Sequence, residues 1–310
     1  LHPRAMFGLV VLLVFTQAQG FTSHKPIWRK QCRRHGAIVL QNSPTELPDS
    51  FDDACVTASS ATARALEDGW NLLRIDFDTS AGDMTYTKLK SSIPMAQKFT
   101  IQMCQLLSLD EKSESSNDLE NISGDPAEEE ATGETKTARL YFPDAGSTAL
   151  ALRDWMVGTP AALVPSCVKL CSLSSDRPAA TDQIIIFVCP KASEVEAVKM
   201  VMRDAEEMVI PTVFINPELV DMGVTGFGAA GRRLRQELID RMVNTYYLKT
   251  LQWGAVTMAY PGGYTVYQTD ESAPGGYTPL QTTERPVNEE QLMDIYDAFV
   301  DPDRGANEDG

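Results

Sequence analysis

Apolar residues recur along this chain with two periods, 3.6 and 2, and the switching between them outlines an α/β fold. Behind Leu47-Pro48-Asp49-Ser50, the positions Phe51, Ala54, Cys55, Ala58, Ala65 and Leu66 fall on one helical stripe. Ser50 and Asp53 are spaced as a capping box, and Gly69 supplies the stop. Trp70 to Asp78 then alternates, with Leu73, Ile75 and Phe77 on one face, as a strand does. Pro94 fits the first turn of a second helix whose stripe is Ala96, Phe99, Met103 and Leu106. From Arg139 the chain reads as a strand through Phe142, a turn at Pro143, Asp144 and Gly146, and a helix carrying Ala149, Leu152, Trp155 and Met156.

The second half continues the pattern. Cys167 to Leu173 and Gln183 to Cys189 are expected strands, the latter apolar throughout and so covered on both faces. Ser193 and Glu196 have capping-box spacing, and Val198, Val201, Met202, Ala205, Met208 and Val209 predict the clearest helix of the chain. Pro211 to Pro217 is the next buried strand, and this strand–helix–strand unit requires parallel pairing. A helix over 229–243 buries Leu234, Leu238, Ile239 and Met242. Tyr246 to Trp253, Ala255 to Tyr260 and Tyr264 to Thr269 come next as strands, the last two joined by Pro261-Gly262-Gly263 into an antiparallel hairpin. After a Pro/Gly/Thr linker, a last helix buries Leu292, Ile295, Tyr296, Phe299 and Val300. The expected architecture is a three-layer α/β sandwich on a mostly parallel, Rossmann-like sheet, with an antiparallel hairpin near its C-terminal edge.

Charge divides the chain. Of 27 Lys/Arg and 43 Asp/Glu, residues 1–45 hold six bases and no acid, so the remainder carries 21 bases and a balance of −22. A body so acidic argues against nucleic acid as partner and against docking on anionic lipid. Residues 110–134 concentrate ten acids among Ser, Gly and Asn, which predicts a disordered acidic insertion.

The first 45 residues read as an address. Residues 1–5 precede the first Met; Phe7 to Phe15 is an apolar core too short to span a membrane, and Ala18-Gln19-Gly20 supplies small residues for a cut. That gives a signal peptide over 1–20, then a basic, acid-free segment over 21–45 that begins at Phe21 and is similar to a transit peptide. The pair resembles the bipartite plastid presequence of algae with complex, red-lineage plastids. An ordinary secreted protein with a basic N-terminus is the alternative. Residues 46–303 then form a single domain, and 304–310 a loose tail.

This address bears on chemistry. His2, His24 and His35 all lie within it, so the mature chain is expected to hold no histidine, which removes Ser-His-Asp and Cys-His catalysis and His-containing metal sites. Five cysteines remain downstream; Cys167 and Cys171, four apart on one strand, would lie ~13 Å apart, too far for a disulfide or one ion. Gly226-Phe227-Gly228-Ala229-Ala230-Gly231 matches the dinucleotide fingerprint but does not directly follow a strand, and Arg232 and Arg233 stand where a P-loop needs Lys and Ser/Thr. No metal or cofactor is assigned. The carboxyl edge of the sheet offers the turn Phe142, Pro143, Asp144 and Gly146, with Asn216 and Pro217 from a second strand, as a candidate pocket. Asp144 equally suits a helix cap. Arg232, Arg233 and Arg235 form a candidate anion or partner patch.

Several stretches together carry a family resemblance: L-P-x-S, Y-F-P-D-A-G-x-x-A-L-A-x-x-D-W, I-N-P-E-L, R-x-L-R-x-x-L-I, Y-Y-L-K-x-L and A-Y-P-G-G-Y-x-V. Over roughly residues 47–300 the chain resembles the domain of unknown function nineteen-ninety-five family. That family occurs in plant and algal low-photosystem-II-accumulation proteins and is appended to a chloroplast adenylate kinase. The resemblance implies a plastid protein of the stroma or the stromal face of the thylakoid. It further implies help in assembling photosystem II through protein partners, with peripheral membrane association, no integral span, and binding in place of catalysis. The alternative is a small-molecule or phosphometabolite-binding protein or enzyme with its pocket at the carboxyl edge.

Overall fold

The computed structural model describes residues 44–78, 88–109, 135–220 and 228–300. The signal and transit-like segments up to residue 43, the acidic insertion, most of the glycine run and the tail from 301 lie outside them.

Helix α1 (Phe51–Glu67) starts where Ser50 Oγ accepts the Asp53 N–H at 3.1 Å; the Asp53 carboxylate reaches Asp49 N–H, one residue short of a reciprocal box. Strand β1 (Leu72–Phe77) is next, then α2 (Lys88–Leu106). Helix α2 begins more than a turn before Pro94, so the proline sits inside it and not in its first turn. Then come β2 (Thr137–Phe142), α3 (Ala145–Asp154), β3 (Val168–Ser172), β4 (Asp182–Val188), α4 (Val195–Met208) and β5 (Thr212–Ile215). Ahead of α4, it is Glu194 whose carboxylate accepts the Lys191 N–H at 2.6 Å; the expected Ser193–Glu196 box does not form, because a 3-10 turn occupies Ala192–Glu194. Helix α5 (Ala229–Glu237) stops earlier than its apolar period predicts, and a 3-10 turn, Ile239–Arg241, brings the chain into β6 (Val243–Thr250). β7 (Gly254–Ala259), β8 (Tyr264–Thr269), β9 (Tyr277–Thr283) and α6 (Glu289–Val300) complete the chain.

Among the described residues, nine strands join one sheet in the order β3-β2-β4-β5-β1-β6-β7-β8-β9. The first six are parallel, and β6 to β9 form an antiparallel meander. The meander enlarges the expected hairpin, because the Pro/Gly/Thr stretch pairs with β8 as an edge strand that tolerates Pro279.

Helices cover both faces. On one, α1, α2 and α3 pack over Leu73, Ile75, Leu140, Ile186, Val213 and their neighbours. On the other, α4 and α5 bury an aromatic ladder across three strands, Tyr141 stacked on Phe187 at 5.6 Å and Phe187 on Phe214 at 4.5 Å. Helix α6 covers the meander with Leu292, Ile295 and the Tyr296–Trp253 contact. Its last turn runs past this cover, so Phe299 and Val300 are exposed and not buried as their period implies.

A buried ion pair ties β2 to β4, one strand in from the β3 edge of the sheet. Arg139 Nε donates to Asp182 Oδ2 at 2.6 Å, and Asp182 also accepts from Thr137 Oγ1 and Ala179 N–H. Burial opposes the Arg139 charge, yet the bond to Asp182 raises its pKa above the usual value.

The folded body reaches back to Thr45. Its N–H donates to Thr265 Oγ1, its hydroxyl bridges Ala259 N–H and Gly263 C=O, and its carbonyl accepts from Tyr267 Oη. Replacing this buried hydroxyl by a methyl strands one donor and one acceptor of the meander. Thr45→Val is therefore expected to cost about 1–3 kcal/mol in urea unfolding, with no change in the denaturant slope.

Candidate functional site

Three neighbouring strands end alike at the carboxyl edge: Phe142-Pro143-Asp144 after β2, Cys189-Pro190-Lys191 after β4 and Asn216-Pro217-Glu218 after β5. A proline cannot donate to the ladder, so it stops each strand there. β2 leads to α3 on one face and β4 to α4 on the other, which opens the crevice where ligands of α/β sheets usually bind.

The chain's own side chains occupy that edge. Asp144 caps α3, accepting Ser147 N–H on Oδ1 and Ser147 Oγ on Oδ2, both at 2.8 Å. Those bonds, first the backbone one, hold its carboxyl below the usual range. A Cβ on Gly146 would meet Asp144 Oδ1 at 3.0 Å, so this glycine makes room for the cap itself. Phe142 and Pro143 are buried, Phe142 packing edge-on against Trp155 at 5.9 Å.

Asn216 is a clasp. Its Oδ1 accepts Phe77 N–H at 2.6 Å, and its Nδ2 donates to Phe77 C=O and to Ser92 Oγ at 2.9 and 2.7 Å. It sits at φ +49°, which Asn tolerates better than most residues. β4 separates Asp144 from Asn216, so the two stand about two strand spacings, ~9–10 Å, apart.

Sequence reasoning missed a second region, on the α4/α5 side of the sheet. There β1 presents Arg74 and Asp76, although it is the fifth of nine strands. Arg74 Nη2 donates to Asp76 Oδ1 at 3.0 Å, and Nε lies 2.6 Å from Oδ2, with the two side chains 27% and 18% exposed. Next to them, β6 carries Asn244, whose Nδ2 donates to Tyr264 Oη at 2.6 Å, and Tyr247, which meets Tyr264 edge-on. Burial pushes the Tyr264 hydroxyl up to about 12, so it remains a neutral hydrogen-bonding group. The register of β1 against β6 shifts at Arg74/Ile75, a bulge of the kind found beside binding sites.

A cavity of about 420 Å³ opens over Arg74. Pro217, Glu218, Leu219 and Val220 form one wall. Arg235 of α5, with Ile239, Asp240 and Met242 beyond its end, forms the other. Of the sequence-predicted residues, Pro217 and Arg235 thus meet here. Arg232 and Arg233 instead face solvent, Arg233 lying 3.9 Å from Glu237.

The five described cysteines are buried. Cys167 packs on the α1–α3 side and Cys171 on the opposite side, so they do not share a face as a continuous strand would require. The cause is that β3 begins only at Val168. Burial pushes the Cys55 and Cys189 thiols up to about 11, and raises Cys171 despite the Arg139 Nη1 donor 3.1 Å away. Among the described residues, no group of three or more His, Cys, Asp or Glu is placed to hold a metal ion, and no helix is long and apolar enough to cross a membrane.

The family described as Domain of unknown function (DUF1995) matches residues 48–293. No curated protein matches the chain.

Two expectations separate cap and clasp from catalysis. Asp144→Ala costs about 1 kcal/mol. Because the folded pKa is depressed, that contribution is present above the unfolded value near ~3.9 and is lost as pH falls through the folded pKa. Melting curves of wild type and variant should therefore converge below about pH 4. Asn216→Ala leaves Phe77 and Ser92 groups unpaired in the core and should cost about 2–4 kcal/mol by chemical denaturation.

Proposed function

Because this chain belongs to the DUF1995 family, we propose that it is a plastid protein that works by binding protein partners, as the photosystem II assembly factors it resembles do. The observation that carries this reading is an exposed apolar stripe on α3. Only Thr148 and Ala151 of that helix are buried. Ala149 and Leu152 are exposed on its outward side, Leu152 39% so, and Met156, two residues past the end of the helix at φ +52°, is 38% exposed. Leu163, 49% exposed, is held beside them by its N–H bond to Trp155 C=O. Contiguous apolar surface of this sort marks interaction sites. Burial raises the pKa of the Cys55, Cys171 and Cys189 thiols, which disfavours thiolate chemistry at these three positions.

The cavity over β1 favours a second reading, a small-molecule-binding protein or enzyme, since its volume lies within the range of ligand pockets.

Affinity capture from stroma and solubilised thylakoids, with partners identified by mass spectrometry, tests the first reading. Photosystem II subunits or their assembly proteins should be recovered with wild type and depleted with the Leu152→Asp/Met156→Asp pair. Capture that yields neither class, or that the paired variant leaves unchanged, counts against it.

A further inference from the structure

Helix α6 packs on one face of the meander, and Tyr264 and Val266 of β8 point toward it. By the pleat, Thr265 and Tyr267 point to the other face. Helix α1 packs on β6 and β7 from that second side. Over β8 the short segment 44–48 ahead of α1 takes up the cover, with Thr45 buried and Leu47 and Pro48 half-buried. Beneath it Thr265 is fully buried and Tyr267 nearly so.

Thr45 enters the hydrogen bonding of the sheet itself. In the antiparallel β7–β8 ladder Thr257 stands opposite Thr265, so the same register continued would set Ala259 opposite Gly263. At that place the Thr45 hydroxyl stands between the two strands, accepting the Ala259 N–H at 3.2 Å and donating to the Gly263 C=O at 3.2 Å. The Thr45 N–H donates to Thr265 Oγ1 at 3.1 Å, and its carbonyl accepts from Tyr267 Oη at 2.7 Å. Every hydrogen-bonding group of this residue thus serves partners 214 to 222 positions later in the chain.

A segment tied down in this way belongs to the fold and not to an address ahead of it. By charge the transit-like segment runs to residue 45, and the fold claims its last residue. A cut after Thr45 would leave the Ala259 N–H and the Gly263 C=O without their bridging hydroxyl and would uncover Tyr267. We infer that the last proteolytic cut of maturation, a peptide-bond hydrolysis by a processing peptidase, falls no later than the Pro44–Thr45 bond. The mature protein then keeps Thr45 to Pro48 as a strap across β7 and β8. This inference rests on the reading of the leading residues as a cleaved address, and it is independent of the α3 stripe and of the cavity.

Intact-mass measurement and N-terminal sequencing of the mature protein, isolated from the cells that make it, read the boundary directly. A first residue between Phe21 and Thr45 is expected. A chain that begins at Glu46 or later overturns the inference. A chain that keeps residues 1–20 overturns the cleaved-address reading on which it rests. Hydrogen exchange on the full recombinant chain tests the strap separately. The Ala259 amide should exchange slowly in wild type and in Thr45→Ser, which keeps the hydroxyl, and at least about tenfold faster in Thr45→Val. The amide of Ile186, in the buried strand β4, serves as the reference and should keep its protection in both variants. Unchanged exchange at Ala259 in Thr45→Val, or equal acceleration at both amides, overturns the strap.

Discussion

A β-sheet can be apolar only where something covers it, and the placement of the helices over the strands sets the chemistry of the described residues. Where α4 and α5 lie over β2, β4 and β5, the sheet shows Tyr141, Phe187 and Phe214. Where α6 lies over the meander, it shows Val256, Met258 and Val266. Between those covers β1 and β6 present Arg74, Asp76, Asn244 and Tyr247, and the cavity forms at the border. On the opposite face α1 and α2 run over the same two strands, and Leu73, Ile75 and Tyr246 are fully buried. One strand thus anchors the core on one side and floors a polar trough on the other.

The carboxyl edge, where such sheets usually bind ligands, is used differently. Asp144 fills the N-terminus of α3, and Asn216 closes the end of β1. Two of the Asn216 bonds reach Phe77 of β1 and the third reaches Ser92 of α2, so the fold itself consumes the hydrogen-bonding capacity of both polar groups. The family motifs Phe-Pro-Asp-Ala-Gly and Asn-Pro-Glu-Leu therefore have a structural explanation. Each terminates a strand, the first then capping α3 and the second clasping the end of β1. Pro217 belongs to such a turn and also lines the cavity, so the edge and the trough are physically continuous at β5.

Periodicity made most of the fold legible, because burial on one face leaves a repeat in the residues. It located β1, β2, β4, α1 and α4 and the parallel pairing of β4 with β5. It misled where local chemistry overrides the repeat. α2 carries Pro94 inside, α5 ends before Leu238, and β9 hides in a stretch of Tyr, Thr, Pro and Gln that half-alternates at a sheet edge. Asp144 was legible as a cap from its place before an Ala-rich helix. Arg74 and Asp76 were not legible as a site. Their alternation with Leu73 and Ile75 is what any half-exposed strand shows, and only the strand order reveals that they stand at the sheet's centre. Arg235 could be told from Arg232 and Arg233 only by the direction α5 takes over β1.

The Arg74–Asp76 pair interrupts the apolar face of a central strand, and a half-buried ion pair gives a fold little net stability. Replacing both at once, Arg74→Leu with Asp76→Val, removes the charges without stranding either partner. Thermal melting of that double variant is the most direct test. Melting unchanged or higher than wild type is expected. A marked fall in melting temperature would contradict the account that helix cover, and not this pair, holds β1 in the sheet.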